Sequence, residues 1–233
     1  MQDNQVYDYT RELDTGVSKR TVLQKTYRLL GLSFIPCALG AAIPLFLNFH
    51  MVAALFSKGW MGLILFFAVF YGLMFAINKN RYSNVGVALL MVFTFLMGTF
   101  LGSLISMVSA IGPTGPKIIG LAAAMTAGIF LTMSVLATRT KMNMASVGSF
   151  LSVGAVILLI GIIANMFLQL PAVSLALSAG FVIFSSVMIM WQTKAVIDGG
   201  ETSHISAALT LFISIYNIFS SLVHILLSLA GED

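Results

Sequence analysis

Long apolar runs separated by short polar segments dominate the chain, and seven of these runs are long enough to cross a membrane. They contain between 17 and 26 residues, where a membrane-spanning helix needs about 20. None shows the two-residue alternation of a barrel strand, and a helix satisfies its own backbone hydrogen bonds inside lipid. The pattern predicts an all-α integral membrane protein with seven transmembrane helices, at Leu29 to Phe49, Met61 to Ile77, Val85 to Met107, Ile118 to Ala137, Ala145 to Phe167, Ala172 to Met190 and Ile205 to Ala230.

The polar segments divide the chain into three parts. Residues 1–28 form a polar tail without long apolar runs, which we expect to stay disordered. Residues 29–230 form the seven-helix transmembrane domain, and residues 231–233 form a short C-terminus. Four acidic residues precede the first run, which is also longer than the apolar core of about 7 to 15 residues in a signal peptide. We therefore expect the first run to be retained as a span.

Basic residues are distributed unevenly over the segments between the spans. Ten of them lie in the tail and in the second-to-third, fourth-to-fifth and sixth-to-seventh connections, against two, Lys58 and Lys117, on the opposite side. Cytoplasmic segments carry the excess of lysine and arginine. The distribution predicts a cytoplasmic N-terminus and, with seven spans, a C-terminus on the far side of the membrane. An even number of spans would break this topology, and the second run is the shortest.

Composition narrows the function classes further. The chain is 59% hydrophobic and 9% charged, far from the roughly 25% charge of a soluble domain. Its net charge of +4 comes from basic residues placed singly or in pairs, which suits membrane topology and not nucleic-acid binding. The single cysteine, Cys37, excludes an intramolecular disulfide and a thiolate cluster.

No catalytic chemistry is recognisable. The sequence has no GxSxG, HExxH, P-loop, GxGxxG or cysteine pair, and its three histidines lie on different segments. All eight acidic residues lie outside the predicted spans, whereas proton and cation pathways usually need an ionisable group inside the membrane. We predict a non-enzymatic protein without a cofactor or a metal site.

Uncharged polar side chains inside the predicted bundle are the remaining candidates. Three residues of the last span, Ser214, Asn217 and Ser221, share one helical face, which suggests that other helices enclose this span. The polar face indicates either a hydrated path or small-ligand cavity, or hydrogen bonds between helices. His224 is either a group titrating near neutrality or a neutral histidine bonded to a nearby helix. The full set of candidates is Asn165, Gln169, Gln192, Thr193, Ser214, Asn217 and His224.

The sixth-to-seventh connection carries the candidate loop motif Asp198, Gly199, Gly200 and Glu201. The two glycines are suited to end the sixth helix, and Thr202 or Ser203 to cap the seventh. We expect Asp198 and Glu201 to solvate the connection, and Lys194 to extend towards the lipid headgroups.

Small residues mark places where helices can approach closely. Gly98 and Gly102 form a GxxxG pattern in the third span, and the fourth span repeats Gly120, Ala124 and Gly128. Such spacing allows van der Waals contact between backbones in lipid, either within one chain or between two copies. We favour packing within the chain, and the sequence leaves the oligomeric state open.

Several segments carry a family resemblance. They are Trp191 to Thr193, Ile197 to Ile205, Ser214 to Phe219, Ile163 to Pro171, and Thr126 to Phe130 ahead of Lys141 to Met144. Together they resemble the Bax inhibitor family, and in particular its bacterial YccA-type branch. The resemblance implies a fold in which six helices surround a central seventh.

Some members of this family are pH-sensitive calcium leak channels, which use an acidic pair on the sixth and seventh helices and an arginine in the second. Matched by motif, the acidic positions fall on Gln192 and Ser214, and no arginine lies between Lys58 and Lys79. Neither glutamine nor serine titrates as a carboxylate pair does, and calcium prefers several charged oxygens. This departure argues against leak-channel activity in this chain.

Three functional hypotheses follow. Resemblance to the YccA-type branch implies a partner and modulator of the membrane-anchored, ATP-dependent protease FtsH, which would engage the cytoplasmic tail. The first alternative is a pH-sensitive leak of calcium or another cation along the seventh helix. The second alternative is a membrane scaffold of unrelated role. The lipid bilayer is the partner common to all three.

Overall fold

The computed structural model describes residues 2–47, 60–141 and 143–231. Within these ranges the chain is all-helical, without strands, as predicted. Most of the connection between the first and second predicted spans, which contains Lys58, lies outside the described residues, as do the end of the first predicted span, Met1, Met142 and the last two residues. The seven helices are α1 (Gln2–Leu47), α2 (Trp60–Lys79), α3 (Asn84–Ser109), α4 (Thr114–Arg139), α5 (Met144–Leu168), α6 (Pro171–Asp198) and α7 (His204–Ala230).

Helix α1 is much longer than the predicted first span. It begins at Gln2, so residues 2–28 belong to a helix in place of the disordered tail that we expected. No proline precedes Pro36 and a single glycine, Gly16, lies before Leu29. Because extending an existing helix costs far less than nucleating one, the apolar part of α1 supports its polar N-terminal extension.

Six helices are long and apolar enough to cross a membrane: α1 over Arg20–Phe46, and α3 to α7 over their full lengths. The stretch Ile64–Lys79 of α2 is shorter. The chain is therefore a multi-pass membrane protein, and among the described residues its second helix has the shortest apolar stretch, as the sequence pattern indicated.

Helices α1 and α3 run parallel and are in very close contact. An added Cβ at Gly98 would meet the carbonyl oxygen of Cys37, and one at Gly102 would meet that of Ala41. We call this contact the α1–α3 seam. It shows that the GxxxG pattern of α3 serves packing within the chain. Gly40 contributes from the side of α1, where an added Cβ would meet the carbonyl of Phe95.

Helix α2, which lies between these two helices in the sequence, packs against α3. The ring centroids of Phe66 and Phe100 lie 5.0 Å apart, and those of Phe70 and Phe93 lie 5.4 Å apart. Residue numbers thus rise along α2 as they fall along α3, so the two helices are antiparallel. The chain passes along the bundle once in each of its first three helices.

Helix α7 occupies the centre of the bundle and packs against α1, α2, α3, α4 and α6. Its core side chains Phe212, Ile218 and Val223 are fully buried. The expected ring of six helices is therefore a ring of five, because the main packing partner of α5 is α6. Large α5 side chains such as Ile157 and Ile160 face outwards. Lipid solvates an apolar helix as well as protein does, so nothing drives α5 towards the centre.

The small residues of α4 do not form a contact like the α1–α3 seam. An added Cβ at Gly120 or Gly128 would have no heavy atom within 4 Å. Ala124 between them is exposed. The four-residue spacing in α4 is therefore an exposed face within the described part of the chain, and not a place where helices touch.

Candidate functional site

The connection between α6 and α7 has a defined backbone structure. Gly199 adopts a left-handed conformation with φ 85° and ends α6, as predicted. Lys194 donates a hydrogen bond to Asp198 at 3.0 Å, one helical turn away, and the two side chains are 16% and 45% exposed. Lys194 thus forms an ion pair within its own helix.

Ser203 caps α7 and ties it to the rest of the bundle. Its hydroxyl accepts a hydrogen bond from the Ser206 amide at 3.2 Å and donates one to the carbonyl of Arg81 at 2.7 Å. The Glu201 carboxylate accepts a bond from the Ser203 amide at 2.7 Å. Of the two predicted caps the structure therefore selects Ser203, and Glu201 holds the backbone that leads to it.

Two further bonds join this connection to the end of α2. Ser206 donates to the side-chain oxygen of Asn78 at 3.0 Å, and the hydroxyls of Tyr82 and Thr202 lie 2.9 Å apart. We call the bonded set Asn78, Arg81, Tyr82, Thr202, Ser203 and Ser206 the connection cluster. It holds the α2–α3 and α6–α7 connections together at one end of the bundle.

At the opposite end, two predicted residues build the turn between α5 and α6. Gln169 is exposed and takes a left-handed conformation with φ 50°. The Asn165 side chain accepts a bond from the Leu170 amide at 3.2 Å and donates one to the Ser174 hydroxyl at 2.6 Å. Asn165 and Gln169 therefore have a structural role in this turn.

His224 of α7 is connected to the same turn. Its Nδ1 lies 3.1 Å from the hydroxyl of Ser178, which itself donates to the Ser174 carbonyl at 2.9 Å. Because a serine hydroxyl has one hydrogen, we assign the proton of this contact to His224 Nδ1. The half-buried histidine is bonded to a neighbouring helix, which was one of its two predicted interpretations. We call Asn165, Ser174, Ser178 and His224 the turn cluster.

The polar residues at the centre of the bundle are buried without forming a common site. Gln192 and Ser214 are 4% and 3% exposed. The Ser214 hydroxyl donates to the Thr210 carbonyl at 2.8 Å, within its own helix, and Asn217 is half-buried. Thr193 is 1% exposed and its hydroxyl oxygen has no hydrogen-bond partner. The two clusters and this central pair are separate places along the bundle.

A large cavity lies on one flank of α7, between α1 and α4. Its volume is about 760 Å³. Leu30, Cys37 and Phe212 are buried at its floor, whereas Leu131 and Val135 on α4 are largely exposed at its edge. The cavity therefore opens sideways, and we call it the α1–α4 slot. Of the predicted site residues, Thr193 lines it, and Ser214, Asn217 and His224 do not.

Metal ligands are not clustered in the part of the chain that the structure describes. No group of three or more histidine, cysteine, aspartate or glutamate side chains is placed there to hold an ion. The loop carboxylates Asp198 and Glu201 are already bonded to Lys194 and to the Ser203 amide.

Sequence reasoning missed the partners of the polar clusters and the slot. Ser174 and Ser178 are four residues apart and therefore share one helix face, and this spacing could have been used to match that face with His224. The slot has no such signal, because its apolar lining has the same composition as a core.

Comparison with models of known protein families identifies the family of this chain. The family model described as "Inhibitor of apoptosis-promoting Bax1" matches residues 19–231. The chain belongs to the Bax inhibitor-1 family. This finding confirms the resemblance seen in the sequence.

Relatives of this Bax inhibitor-1 family protein come from several bacteria. An uncharacterized protein of Neisseria meningitidis serogroup A is 60% identical over 98% of both chains. The Escherichia coli K12 protein named "Modulator of FtsH protease YccA" is 38% identical over 90% of this chain and 91% of its own. The matching protein of Escherichia coli O6:H1 is named "Inner membrane protein YccA", with the same identity and coverage.

Proposed function

We propose that this Bax inhibitor-1 family protein is a non-enzymatic modulator of an FtsH-type, membrane-anchored, ATP-dependent protease in a bacterial inner membrane. The observation that carries the proposal is the 38% identity, over 90% of the chain, to the relative named as a modulator of that protease. The name of the second relative supports the inner membrane as the location.

The proposed topology has seven crossings, with the N-terminus in the cytoplasm and the C-terminus in the periplasm. The parallel direction of α1 and α3 supports a crossing by α2, whose 20 residues span about 30 Å, the thickness of the hydrocarbon core. The connection cluster supports it as well, because it joins two connections that the topology places on one side. The ten-to-two distribution of basic residues makes that side the cytoplasm.

Residues 2–19 of α1, the N-terminal extension, are the proposed point of engagement. As a helix these residues reach about 27 Å beyond the start of the apolar stretch at Arg20. The extension continues directly into the part of α1 that forms the α1–α3 seam. A protease pulling on it would act on a tightly packed helix. The protein would therefore resist extraction while it occupies the protease, which slows the degradation of other substrates.

Two variants test this mechanism in cells that contain the protease. Deletion of residues 2–19 removes the point of engagement, so the protease should no longer co-purify and a reporter substrate should be degraded as fast as without the protein. Gly98→Leu keeps the extension but disrupts the seam, so the protein itself should be degraded faster. Gly128→Leu, on the exposed face of α4, is the matched control and should behave as the parent chain. Unchanged co-purification and reporter degradation after the deletion would refute the proposal.

Calcium leakage is the alternative that the proposal sets aside. The family-motif positions on α6 and α7 carry Gln192 and Ser214, and the described carboxylates outside the N-terminal extension are Asp198 at the end of α6 and Glu201 in the α6–α7 connection. Proteoliposomes containing the purified chain should show no calcium entry that depends on pH around neutrality. A pH-dependent entry that His224→Ala abolishes would favour the channel. Absence of both calcium entry and any effect on the protease would favour the unrelated scaffold.

A further inference from the structure

We propose that the α1–α4 slot binds one acyl chain of an anionic phospholipid, whose phosphate group contacts the basic residues at the mouth of the slot. The site does not depend on the proposed protease function. It rests on the shape of the slot, on the chemistry of its lining and on the charges at one of its ends.

The slot has the shape of a lipid chain lying along the bundle. On α1 its lining extends from Leu23 to Cys37, and on α4 from Ala123 to Thr138. Each stretch is about 21 to 22 Å long at the rise of an α-helix, somewhat more than the roughly 15 Å depth of one leaflet of the hydrocarbon core. The volume of about 760 Å³ lies in the range of about 300 to 1,000 Å³ that is typical of ligand pockets.

The sides of the slot are open to the membrane. Leu131 at its edge is 62% exposed, and an added Cβ at Gly31 on the opposite side would have no heavy atom within 4 Å. A chain can therefore enter sideways from the bilayer without crossing the protein. The rings of Tyr27 on α1 and Phe130 on α4 meet edge to face, with centroids 6.0 Å apart, and join the two walls of the slot where they meet.

The lining favours a hydrocarbon over a polar solute. Most of the lining residues are apolar, and the hydroxyls of Thr126 and Thr138 donate to carbonyls of their own helix, at 2.7 Å in each case. The oxygens of Ser134 and Thr193 are buried from the cavity. The slot thus presents carbon surface to its occupant, and burial of apolar groups there contributes to binding through close contact.

Positive charge is concentrated at the end of the slot formed by the start of α1 and the end of α4. Arg20 lies on the same face of α1 as Leu23 and Tyr27, and Arg139 follows Thr138 directly. Both side chains are exposed, and the described ion pair of the protein, Lys194 with Asp198, involves neither. Lys141 is also exposed at this end. Arginines next to an apolar slot between helices match a phosphate headgroup with an attached chain.

Native mass spectrometry of the purified full-length protein, incubated with phosphatidylglycerol or phosphatidylcholine, tests the site. We expect the parent chain to retain one phosphatidylglycerol, and phosphatidylcholine at least about tenfold less strongly. Arg20→Gln combined with Arg139→Gln should reduce phosphatidylglycerol binding by a similar factor. Lys25→Gln is the charge control, because Lys25 lies on a different face of α1 and should leave binding unchanged.

The apolar part of the slot is tested by filling it. Ala127→Phe places a ring inside the slot and should abolish retention of the lipid, whereas Gly128→Phe, on the neighbouring exposed face of α4, should not. Gly31→Phe fills the slot from α1 and provides a second variant in case the first fails to fold, as judged by its thermal unfolding. Equal retention of the two lipids by the parent chain, or full retention by a folded slot-filling variant, would overturn the proposal.

Discussion

The two flanks of α1 show opposite kinds of contact between helices. On one flank, Gly40 meets α3, and the gap is so narrow that an added Cβ would collide with the backbone of Phe95. On the other flank, Gly31 faces the α1–α4 slot and has no heavy atom within 4 Å of an added Cβ. Glycine in a membrane helix therefore allows close packing but does not cause it. A complementary face on the neighbouring helix is also required.

The same contrast holds for polar groups. The hydroxyl of Ser203 in the connection cluster both donates and accepts a hydrogen bond, to residues on two different segments. The hydroxyl oxygens of Ser134 and Thr193, next to the slot, are buried without a partner. The Ser203 hydroxyl of the connection cluster is thus fully hydrogen-bonded, whereas two of the hydroxyls that line the slot have no partner.

The largest loss of stability is expected from a substitution that disrupts the α1–α3 seam. Gly98→Leu forces the backbones of α1 and α3 apart, because the carbonyl of Cys37 occupies the space of the new side chain. We expect a loss of more than about 3 kcal/mol of stability, at or above the usual cost of overpacking. Thermal unfolding of the protein in one detergent measures it. Gly128→Leu is the control, and a similar loss for both variants would contradict the contrast between the flanks.

The next effect concerns the connection cluster. Ser203→Ala removes the cap of α7 and leaves the Arg81 carbonyl without its buried donor. We expect a loss of about 2 kcal/mol from these two changes together. Thr202→Ala, whose bond to Tyr82 is exposed, should cost less than about 0.5 kcal/mol. Equal unfolding temperatures for the two variants would show that the cluster does not stabilise the bundle.

A smaller effect is expected in the turn cluster. Ser178→Ala removes the hydrogen-bond partner of His224 and should cost about 1 kcal/mol. Ser152→Ala is the matched control, because its hydroxyl is exposed and bonds only to the Gly148 carbonyl of its own helix. Thermal unfolding of both variants gives the difference, and a larger loss for Ser152→Ala would be evidence against the cluster.

The smallest effect is expected at the slot, where a threonine hydroxyl without a partner can be compared with one that is hydrogen-bonded. Thr193→Val keeps the shape of the side chain and removes a hydroxyl that has no partner, so stability should stay unchanged or rise slightly. Thr126→Val removes a hydroxyl that donates to the Ala122 carbonyl at 2.7 Å and should cost up to about 1 kcal/mol. The two unfolding temperatures are compared directly. A greater loss for Thr193→Val would mean that its hydroxyl has a partner in the membrane.

Local features were predictable where a single segment contains the physical cause. The end of α6 at the two glycines and a cap at Thr202 or Ser203 were predicted from residue types within the connection, because the backbone conformation there depends on neighbouring residues. The extent of α1 was not predictable, because its polar part is helical as a continuation of the apolar part. The position of α5 outside the ring was not predictable either, since lipid and protein contact its side chains with similar energies.

The sequence by itself determined the number, the order and the membrane character of the helices, and it identified the family. It did so because the length of an apolar run and the absence of internal charges are properties of one segment, and lipid responds to each segment separately. Only the tertiary structure decided that Gly98 meets α1 while Gly128 meets nothing, that His224 bonds to Ser178, and that a slot opens between α1 and α4. Those outcomes depend on which faces of different helices meet, and the spacing of residues within one helix does not identify the neighbouring helix that its face meets.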